Sequence, residues 1–189
     1  MKILGISGSL RRDSYNSMLL RAAAELLPPG AELEVYDGLK AVPPYDADDD
    51  EGFAPAVVRE LREAVAEADA VLIATPEYNA SVPGALKNAL DWVSRPHATN
   101  PLRGKPAAVV GASTGMFGAV WAQAELRKVL QTIGARVIDR DLPVSEAPER
   151  FDSDGRLVDD DLGELYGEIL AELVTAVEVR EAALAARAA

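Results

Sequence analysis

Length, composition and charge exclude several classes of function. The chain has 189 residues, 49% of them hydrophobic and 26% charged, which is ordinary for a globular protein. Its net charge of −12 disfavours nucleic acid and anionic membranes as partners, because no basic stripe offsets it. It has no cysteine and one histidine, His97, which excludes thiol chemistry and Cys/His zinc sites. Any redox reaction therefore needs a bound organic cofactor.

The length is that of one domain, and we expect residues 1–189 to fold as a single unit. No apolar run approaches the ~20 residues of a membrane span. The N-terminal stretch MKILGISGS is too short for a secretory signal and is typical of a strand. We therefore expect a cytoplasmic protein.

The first predicted strand, residues 3–6, ends in a polar turn that leads into a helix starting at Asp13 or Ser14. Such a turn directs backbone N–H groups and the positive end of a helix dipole towards one point, which suits a phosphate. Arg11 and Arg12 lie in the same turn and stand out in so acidic a chain. An ordinary polar turn, capped by Asp13 or Ser14, explains the pattern equally well.

The remaining elements alternate between strands and helices. Short or continuously apolar runs predict strands at residues 32–36, 70–75, 106–112 and 136–138, with 142–144 as an extension of the last. Apolar residues at helical spacing predict helices at residues 15–26, 55–68, 82–94, 122–133 and 160–187. This alternation favours a fold of the α/β class, and more specifically a flavodoxin-like three-layer sandwich. Its five-stranded parallel sheet, in order 2-1-3-4-5, carries helices on both faces.

A loop is expected between the second strand and the second helix, at residues 37–52. It contains Pro43, Pro44 and the acidic run at residues 48–51. Acidic residues ahead of a helix are usually solvated and favour the helix dipole. A metal site is the weaker alternative, because the acids are consecutive rather than spaced for coordination. No residue is therefore assigned as a metal ligand.

Three polar loops meet where ligands bind in such sheets, at the carboxyl ends of the strands near the reversal of strand order. They are residues 7–16, 76–81 and 113–118. Hydroxyls, an amide and a guanidinium in and after the first loop suit the oxygens of a phosphate monoester. In the second loop, Pro76, Tyr78 and Asn79 suit a planar ring. Helix capping by Asn79 or Ser81 is the alternative there.

Other motifs fit the sequence less well. No Gly-Lys-Ser/Thr follows the first turn, so it is not a P-loop, and Gly5 and Gly8 lack GxGxxG spacing. Asp37 has the position of a ribose-binding acid, but without that glycine pattern. Residues 111–115 match the GxSxG nucleophile motif, yet His97 precedes the motif instead of following it. A Gly-rich turn that lets the backbone approach a ligand is the preferred interpretation.

Two further features concern the surface. His97 lies in a loop rich in Pro and Asn, and we expect it to be a surface residue. Trp92 and Trp121 lie off the apolar stripes of their helices. Large aromatic residues in such positions either pack under loops or form a subunit interface. The sequence leaves both explanations open.

These motifs resemble those of the NADPH-dependent FMN reductase family, which includes quinone, azo-dye and chromate reductases. The resemblance rests on SLRRDSYN at residues 9–16, on TPEYNASVPGALKNALDWVSRP at residues 75–96, and on the Gly-rich turn followed by residues 121–130. It implies noncovalently bound FMN, NADPH or NADH as hydride donor, and a homodimer or homotetramer with interfaces close to the flavin.

The resemblance also implies roles for individual residues. The FMN phosphate would be held by Ser9, Arg11, Ser14, Asn16 and Ser17. The isoalloxazine and ribityl region would be lined by Pro76, Glu77, Tyr78 and Asn79, and the other edge of the ring by Ser113 and Gly115. The chain departs from the family at residues 115–119, where GMFGA replaces a GGFGG-like turn. Met116 and Ala119 add side chains that put the ring contacts in question.

The expected activity is ping-pong hydride transfer from NAD(P)H, through FMN, to quinones, free flavin, azo compounds or similar small-molecule acceptors. The cofactor carries the chemistry, so no catalytic side chain is assigned. One alternative is a flavodoxin-type electron-transfer module that binds FMN without NAD(P)H turnover. Another is a nucleotide-binding protein without flavin.

Overall fold

The computed structural model describes residues 1–50 and 53–188. The strands are Lys2–Ser7 (β1), Glu32–Tyr36 (β2), Ala70–Ala74 (β3), Pro106–Ala112 (β4), Arg136–Val137 (β5) and Pro143–Val144 (β6). The α-helices are Tyr15–Leu26 (α1), Ala47–Asp50 (α2), Ala56–Glu67 (α3), Gly84–Val93 (α4), Val120–Ile133 (α5) and Asp160–Ala188 (α6). Short 3₁₀ helices lie at Gly38–Ala41, His97–Thr99 and Ala147–Glu149.

All strand pairs in the sheet are parallel, in the order β2-β1-β3-β4-β5, and β6 also pairs with β4. In the central register, Ile3 of β1 lies between Leu33 of β2 and Ala70 of β3. The predicted flavodoxin-like fold and strand order are confirmed. The reversal of order between β1 and β3 therefore lies where the sequence places it.

The last strand position is split in two instead of forming one extended strand. β5 pairs with the start of β4, and β6 pairs with its end. The charged segment between them forms ion pairs with two helices. Arg140 binds Glu168 and Glu172 of α6, each at 2.7 Å, and Asp141 pairs with Arg127 of α5.

The core lies on both faces of the sheet, as an apolar parallel sheet requires. β3 and β4 are buried along their whole length. On one face, α1 and α6 pack with residues such as Leu19, Leu20 and Tyr166. On the other, α3, α4 and α5 pack with residues such as Leu61 and Leu126. The sheet thereby becomes a rigid base for the loops that follow its strands.

The segment between β2 and α3 is more ordered than the predicted loop. Ala47–Asp50 forms a short helix, and the Asp50 carboxylate accepts two hydrogen bonds from Arg62, at 2.9 and 3.0 Å. The expectation of a solvated acidic run is thus wrong for Asp50. Glu51, the last residue of the acidic run, and Gly52, the last residue of the predicted loop, lie outside the described residues. Within residues 1–50 and 53–188, no cluster of three acidic or histidine side chains is arranged to hold a metal ion.

Trp92 is buried in the structure, whereas His97 is exposed. Trp92 is fully buried, its indole N–H donates to the Pro43 carbonyl at 2.9 Å, and its ring packs edge-on against Tyr45 at 4.9 Å. Packing under the proline loop explains it, and a subunit interface is the wrong explanation for this residue. His97 is exposed, as predicted, with Nε2 3.2 Å from a guanidinium nitrogen of Arg103.

In the described part of the chain, no helix combines the length and the apolar character that crossing a bilayer requires.

Candidate functional site

The loops after β1, β3 and β4 meet at the carboxyl edge of the sheet and enclose a cavity of about 130 Å³. The predicted site residues that line it are Ser9, Arg11, Ser14, Asn16, Pro76, Glu77, Tyr78 and Ser113. Ser17, Asn79 and Gly115 lie in or beside the same loops but do not line it. Tyr15, Ala112 and Thr114 line it without having been predicted.

The first loop begins where β1 is pinned against β3. The Gly8 N–H donates to the Ala74 carbonyl at 2.8 Å. A Cβ at Gly8 would lie only 2.9 Å from Leu86 and 3.3 Å from Pro76, so a side chain there would separate the first and second loops. The missing side chain is what lets the two loops approach each other.

Serine hydroxyls line the inside of this loop. Ser17 donates to the Ser7 hydroxyl at 3.1 Å, and the backbone N–H of Ser9 lies 3.4 Å from the same oxygen. The Ser9 hydroxyl in turn lies 3.4 Å from the backbone N–H of Arg11. The two 3.4 Å contacts are long for hydrogen bonds, so these groups keep capacity for a ligand. Ser17 is therefore one of this set of neighbouring serines, although it does not line the cavity.

The first turn of α1 is built by Ser14 and Asn16. Ser14 is the N-cap residue, and its hydroxyl accepts from the Asn16 N–H at 3.2 Å. The Asn16 side chain then binds the end of β4: its amide donates to the Ala112 carbonyl and accepts from the Ala112 N–H, both at 3.0 Å. This buried clamp aligns the first and third loops. Both polar ends of the Asn16 side chain are therefore engaged with the backbone.

Arg11 contrasts with these ordered groups. Its side chain is exposed at the cavity wall. Within residues 1–50 and 53–188, its guanidinium has no carboxylate partner. A cation without a partner, next to a helix N-terminus, is the arrangement that an anionic ligand would complete.

The second loop is a tight two-residue turn. Tyr78 and Ser81 exchange backbone hydrogen bonds at 3.1 and 3.2 Å, and the central residues Asn79 and Ala80 have φ of 53° and 58°. Helix α4 starts after Pro83, with no side-chain cap, so the capping alternative for Asn79 and Ser81 is wrong. The turn instead presents Tyr78 at the mouth of the cavity.

Two carboxylates tie this second loop to α5. Glu77 accepts from the backbone N–H groups of Trp121 and Ala122, both at 3.1 Å, at the start of the helix. One turn later, Glu125 accepts from the Ser81 hydroxyl at 2.6 Å and from the Val82 N–H at 3.2 Å. Glu77 of the loop thus accepts from the helix, and Glu125 of the helix accepts from the loop. Sequence patterns did not reveal Glu125, because its partner lies 44 residues away.

The third loop departs from the expected glycines with little effect on the cavity. Gly118 has φ of 57°, and a Cβ there would lie 2.3 Å from the backbone of Pro143. Ala119 also has a left-handed φ, of 60°, and its methyl group is buried instead of facing the cavity. Met116 points into solvent. The Ser113 hydroxyl accepts from the Gly115 N–H at 3.1 Å, which orders the turn.

Exposed apolar side chains form a rim on the second and third loops and at the start of α5, and one of them, Tyr78, lines the cavity. Tyr78, Met116, Phe117 and Trp121 are all exposed, and Trp121 has 49% of its surface accessible. Phe117 and Trp121 pack edge to face, with ring centroids 4.8 Å apart. Large exposed aromatic groups that cluster in this way are typical of binding surfaces. The site therefore combines a polar closed end with an aromatic open end.

This arrangement fits a flavin nucleotide. The polar end offers hydroxyls of Ser9 and Ser14, the Arg11 guanidinium and N–H groups at the start of α1. Glu77 is the carboxylate in the cavity wall, and one of its oxygens is already satisfied by α5. A cavity of 130 Å³ suits the phosphate and ribityl chain, and the rim provides the surface for a planar ring.

A comparison with family models decides the relationship. Residues 1–149 match the family described as NADPH-dependent FMN reductase. The chain belongs to this family. The predicted enzyme class, an oxidoreductase with FMN as cofactor and NAD(P)H as donor, is thereby confirmed. Helix α6 lies beyond the matched residues.

Similar proteins support the same relationship. The chain is 47% identical over 175 residues to an NAD(P)H-dependent FMN reductase of Pseudomonas aeruginosa, covering 92% of this chain and 93% of that protein. It is 40% identical to a 2-hydroxy-1,4-benzoquinone reductase of a Burkholderia species, covering 85% and 87%. Among solved structures, FerB, a flavoenzyme NAD(P)H:(acceptor) oxidoreductase of Paracoccus denitrificans, superposes with a TM-score of 0.83 at 34% identity, covering 94% and 97%.

Proposed function

We propose that the chain is an NAD(P)H:acceptor oxidoreductase that binds FMN in the cavity and reduces quinones, free flavin, azo compounds or similar acceptors by a ping-pong mechanism. The observation that carries the proposal is one cavity whose wall holds Arg11, serine hydroxyls and the exposed Tyr78, with further exposed aromatic residues on the neighbouring third loop and α5. The similarity to FMN and quinone reductases supports the choice of donor and acceptor.

The residues at the polar end would bind the phosphate. Arg11 supplies the charge, Ser9 and Ser14 supply hydroxyls, and the first turn of α1 supplies N–H groups and its dipole. Ser17 acts through the Ser7 hydroxyl that it contacts. Asn16 contributes by holding α1 against the end of β4, because its amide is engaged with Ala112.

The residues of the second and third loops would position the ring. Pro76, Glu77 and Tyr78 line the cavity from the second loop, with Asn79 at the turn beside them, and Ser113 lines it from the third loop, where its hydroxyl accepts from the Gly115 N–H. The bonds from Glu77 and Glu125 fix the spacing between the second loop and α5. Rigid walls of this kind reduce the cost of ordering a bound ring.

A single open face supports a ping-pong order. FMN bound here would accept a hydride from NAD(P)H and pass electrons to the second substrate. Tyr78 lines the cavity and is exposed, which leaves that face accessible to both substrates in turn. The protein contributes position and electrostatics, and no side chain is assigned as a general acid or base.

The rim also supports a proposal on assembly and location. Exposed Trp121, Phe117 and Met116 beside the cavity favour a homodimer or homotetramer that covers part of this surface. Trp121→Glu should reduce the molecular mass measured by light scattering, whereas an unchanged mass would exclude Trp121 from the interface. The proposed use of NAD(P)H is consistent with a cytoplasmic enzyme.

The test is steady-state oxidation of NADPH or NADH by the FMN-loaded protein with a quinone. We expect turnover that depends on FMN, with parallel lines in double-reciprocal plots when both substrates are varied. A flavodoxin-type carrier would bind FMN and show no such turnover. A protein that binds no flavin at all would contradict both.

A further inference from the structure

A second cavity, of about 260 Å³, lies on the other side of the first loop, at the carboxyl ends of β1 and β2. Its wall includes Ser9 and Arg11, which also line the first cavity, and the Ser17 hydroxyl. The second cavity therefore begins at the residues that would hold the flavin phosphate. The function proposed above leaves it unused.

The charges at this cavity favour a phosphate. Arg11 and Lys40 both line it, and both side chains are exposed. In the described residues, neither cation has a carboxylate within ion-pair distance. Two exposed cations without a carboxylate partner therefore share this cavity, in a chain with a net charge of −12. They concentrate positive potential where an anion would gain most from it.

The rest of the wall fits a nucleoside. Leu10 and Val35 are apolar side chains with 45% and 48% of their surfaces exposed, so they offer faces on which a planar base would lose contact with water. Asp37, at the end of β2, is exposed and lines the same cavity. A carboxylate at the end of the second strand is a suitable acceptor for ribose hydroxyls.

We propose that this cavity binds an adenosine 5′-phosphate unit. Its phosphate contacts Lys40, next to the Arg11 that would hold the flavin phosphate, its ribose hydroxyls donate to Asp37, and its adenine lies against Leu10 and Val35. Two sources share this chemistry, the adenylate half of FAD and that of NAD(P)H. The choice of these sources rests on the function proposed above, whereas the binding of the unit itself does not.

A larger groove between α4 and α5, of about 350 Å³, is a weaker candidate for the same ligand. Its Lys87 is already paired with Asp91 at 2.7 Å, and Glu125 adds a second carboxylate to the wall. It also shares no lining residue with the first cavity. The groove also holds Arg95 and Lys128, so its charge does not separate it from the cavity beside Arg11 and Lys40; continuity with the flavin site does.

The test measures AMP binding to the full-length protein, purified with its flavin, by calorimetry at low ionic strength. Lys40→Gln should weaken AMP binding about threefold to tenfold, since it removes one exposed phosphate contact. Lys128→Gln, in the α4–α5 groove, is the matched control and should leave AMP binding unchanged. Flavin content should stay the same in both variants, because neither side chain lines the first cavity.

Two further measurements distinguish FAD from NAD(P)H as the source of the adenosine 5′-phosphate unit. If FAD is the source, FAD binds in exchange for FMN, and Lys40→Gln weakens FAD while sparing FMN. If NAD(P)H is the source, Lys40→Gln raises KM for NADH about threefold to tenfold with little change in kcat, and AMP competes with NADH. Absence of AMP binding, or weakening by Lys128→Gln instead of Lys40→Gln, would overturn the proposal. AMP binding that depends on Lys40 in a protein without NAD(P)H turnover would sink the proposed function and leave this site standing.

Discussion

The two edges of the sheet use their charged residues in opposite ways. At the amino edge, the Asp69 carboxylate accepts from the Lys2 N–H at 2.8 Å, and Lys105 is buried with its ammonium bonded to the carbonyls of Ala66 and Ala68 at the end of α3. At the carboxyl edge, Arg11 is exposed beside hydroxyls with long, weak contacts. Asp69 and Lys105 at the first edge stabilise the fold, whereas Arg11 at the second edge is available to a ligand.

The surroundings of a cation in this protein indicate whether it stabilises the fold or is available to bind a ligand. Lys105 carries a large cost, because burial and, to a smaller extent, the charge of Arg180 lower its pKa to about 8 against the opposing effect of Asp69. Its compensation is the capping of helix carbonyls, a purely structural role. Arg11 makes no such hydrogen bond to helix carbonyls in the described residues, so we expect it to affect ligand binding instead of the stability of the fold.

Removing the Asn16 clamp should damage both the fold and the site. Asn16→Ala leaves the buried N–H and carbonyl of Ala112 without partners, which should lower the free energy of unfolding by about 2–4 kcal/mol. FMN affinity should fall as well, because α1 and β4 lose their alignment. Urea unfolding and a flavin fluorescence titration measure the two effects.

Asn88→Ala is the matched control for that variant. Asn88 also makes two side-chain hydrogen bonds to backbone, with Tyr45 and Pro43 at 2.7 Å each, but on the face away from the cavity. It should lower stability while leaving FMN affinity unchanged. Equal loss of FMN affinity in both variants would refute the positioning role of Asn16.

Arg11→Ala should act on the ligand alone. The loss of one charge-assisted phosphate contact costs about 1.5–3 kcal/mol, which corresponds to roughly 10- to 100-fold weaker FMN binding. The midpoint of unfolding of the FMN-free protein should not change, since the side chain has no carboxylate partner in the described structure. Arg12→Ala, one residue away and outside both cavities, is the control. If Arg12→Ala weakened FMN and Arg11→Ala did not, the assignment would be wrong.

Lys105 should control how stability depends on pH. Its pKa is about 8 in the folded chain and near 10.5 when unfolded, so between these values the unfolded chain binds the extra proton. The free energy of unfolding therefore rises with pH through this window. Relative to Lys105→Met, the wild type should gain about 1–2 kcal/mol between pH 7.5 and 9.5, measured by urea unfolding. A difference that is flat or falls with pH would contradict the buried state of this lysine, and FMN affinity should be the same in both proteins.

Ala119→Gly should have the smallest effect. Glycine relieves the left-handed backbone at φ 60°, which costs about 1–2 kcal/mol for an L-residue, but it also removes a buried methyl group and adds freedom to the unfolded chain. We expect a net change within about 1 kcal/mol in thermal unfolding and no change in FMN affinity. A large change in affinity would mean that the Ala119 methyl group shapes the ring site.

Local patterns predicted those parts of the fold that depend on local chemistry. The apolar runs of β3 and β4, the helical spacing in α3 and α4, and the polar turn capped by Ser14 are properties of neighbouring residues. The helix at Ala47–Asp50 depends on Arg62, and the burial of Trp92 depends on Pro43. Such contacts join residues far apart in sequence, so periodicity does not reveal them.

The candidate site shows the same limit. The loops and most of their lining residues followed from motifs and from the resemblance, because loop position in a doubly wound sheet is set by strand order. The engagement of Asn16 with Ala112, 96 residues away, and of Glu125 with Ser81 did not. Sequence therefore located the site, and only the structure separated residues available to a ligand from those that hold the loops in place.

The central claim is that this chain transfers electrons from NAD(P)H to a second substrate through FMN held at the carboxyl edge. Anaerobic stopped-flow absorbance tests it by separating the two half-reactions. NADPH or NADH alone should bleach the absorbance of the bound flavin, and a quinone added afterwards should restore it. A protein whose bound FMN is not bleached by either nucleotide would contradict the claim.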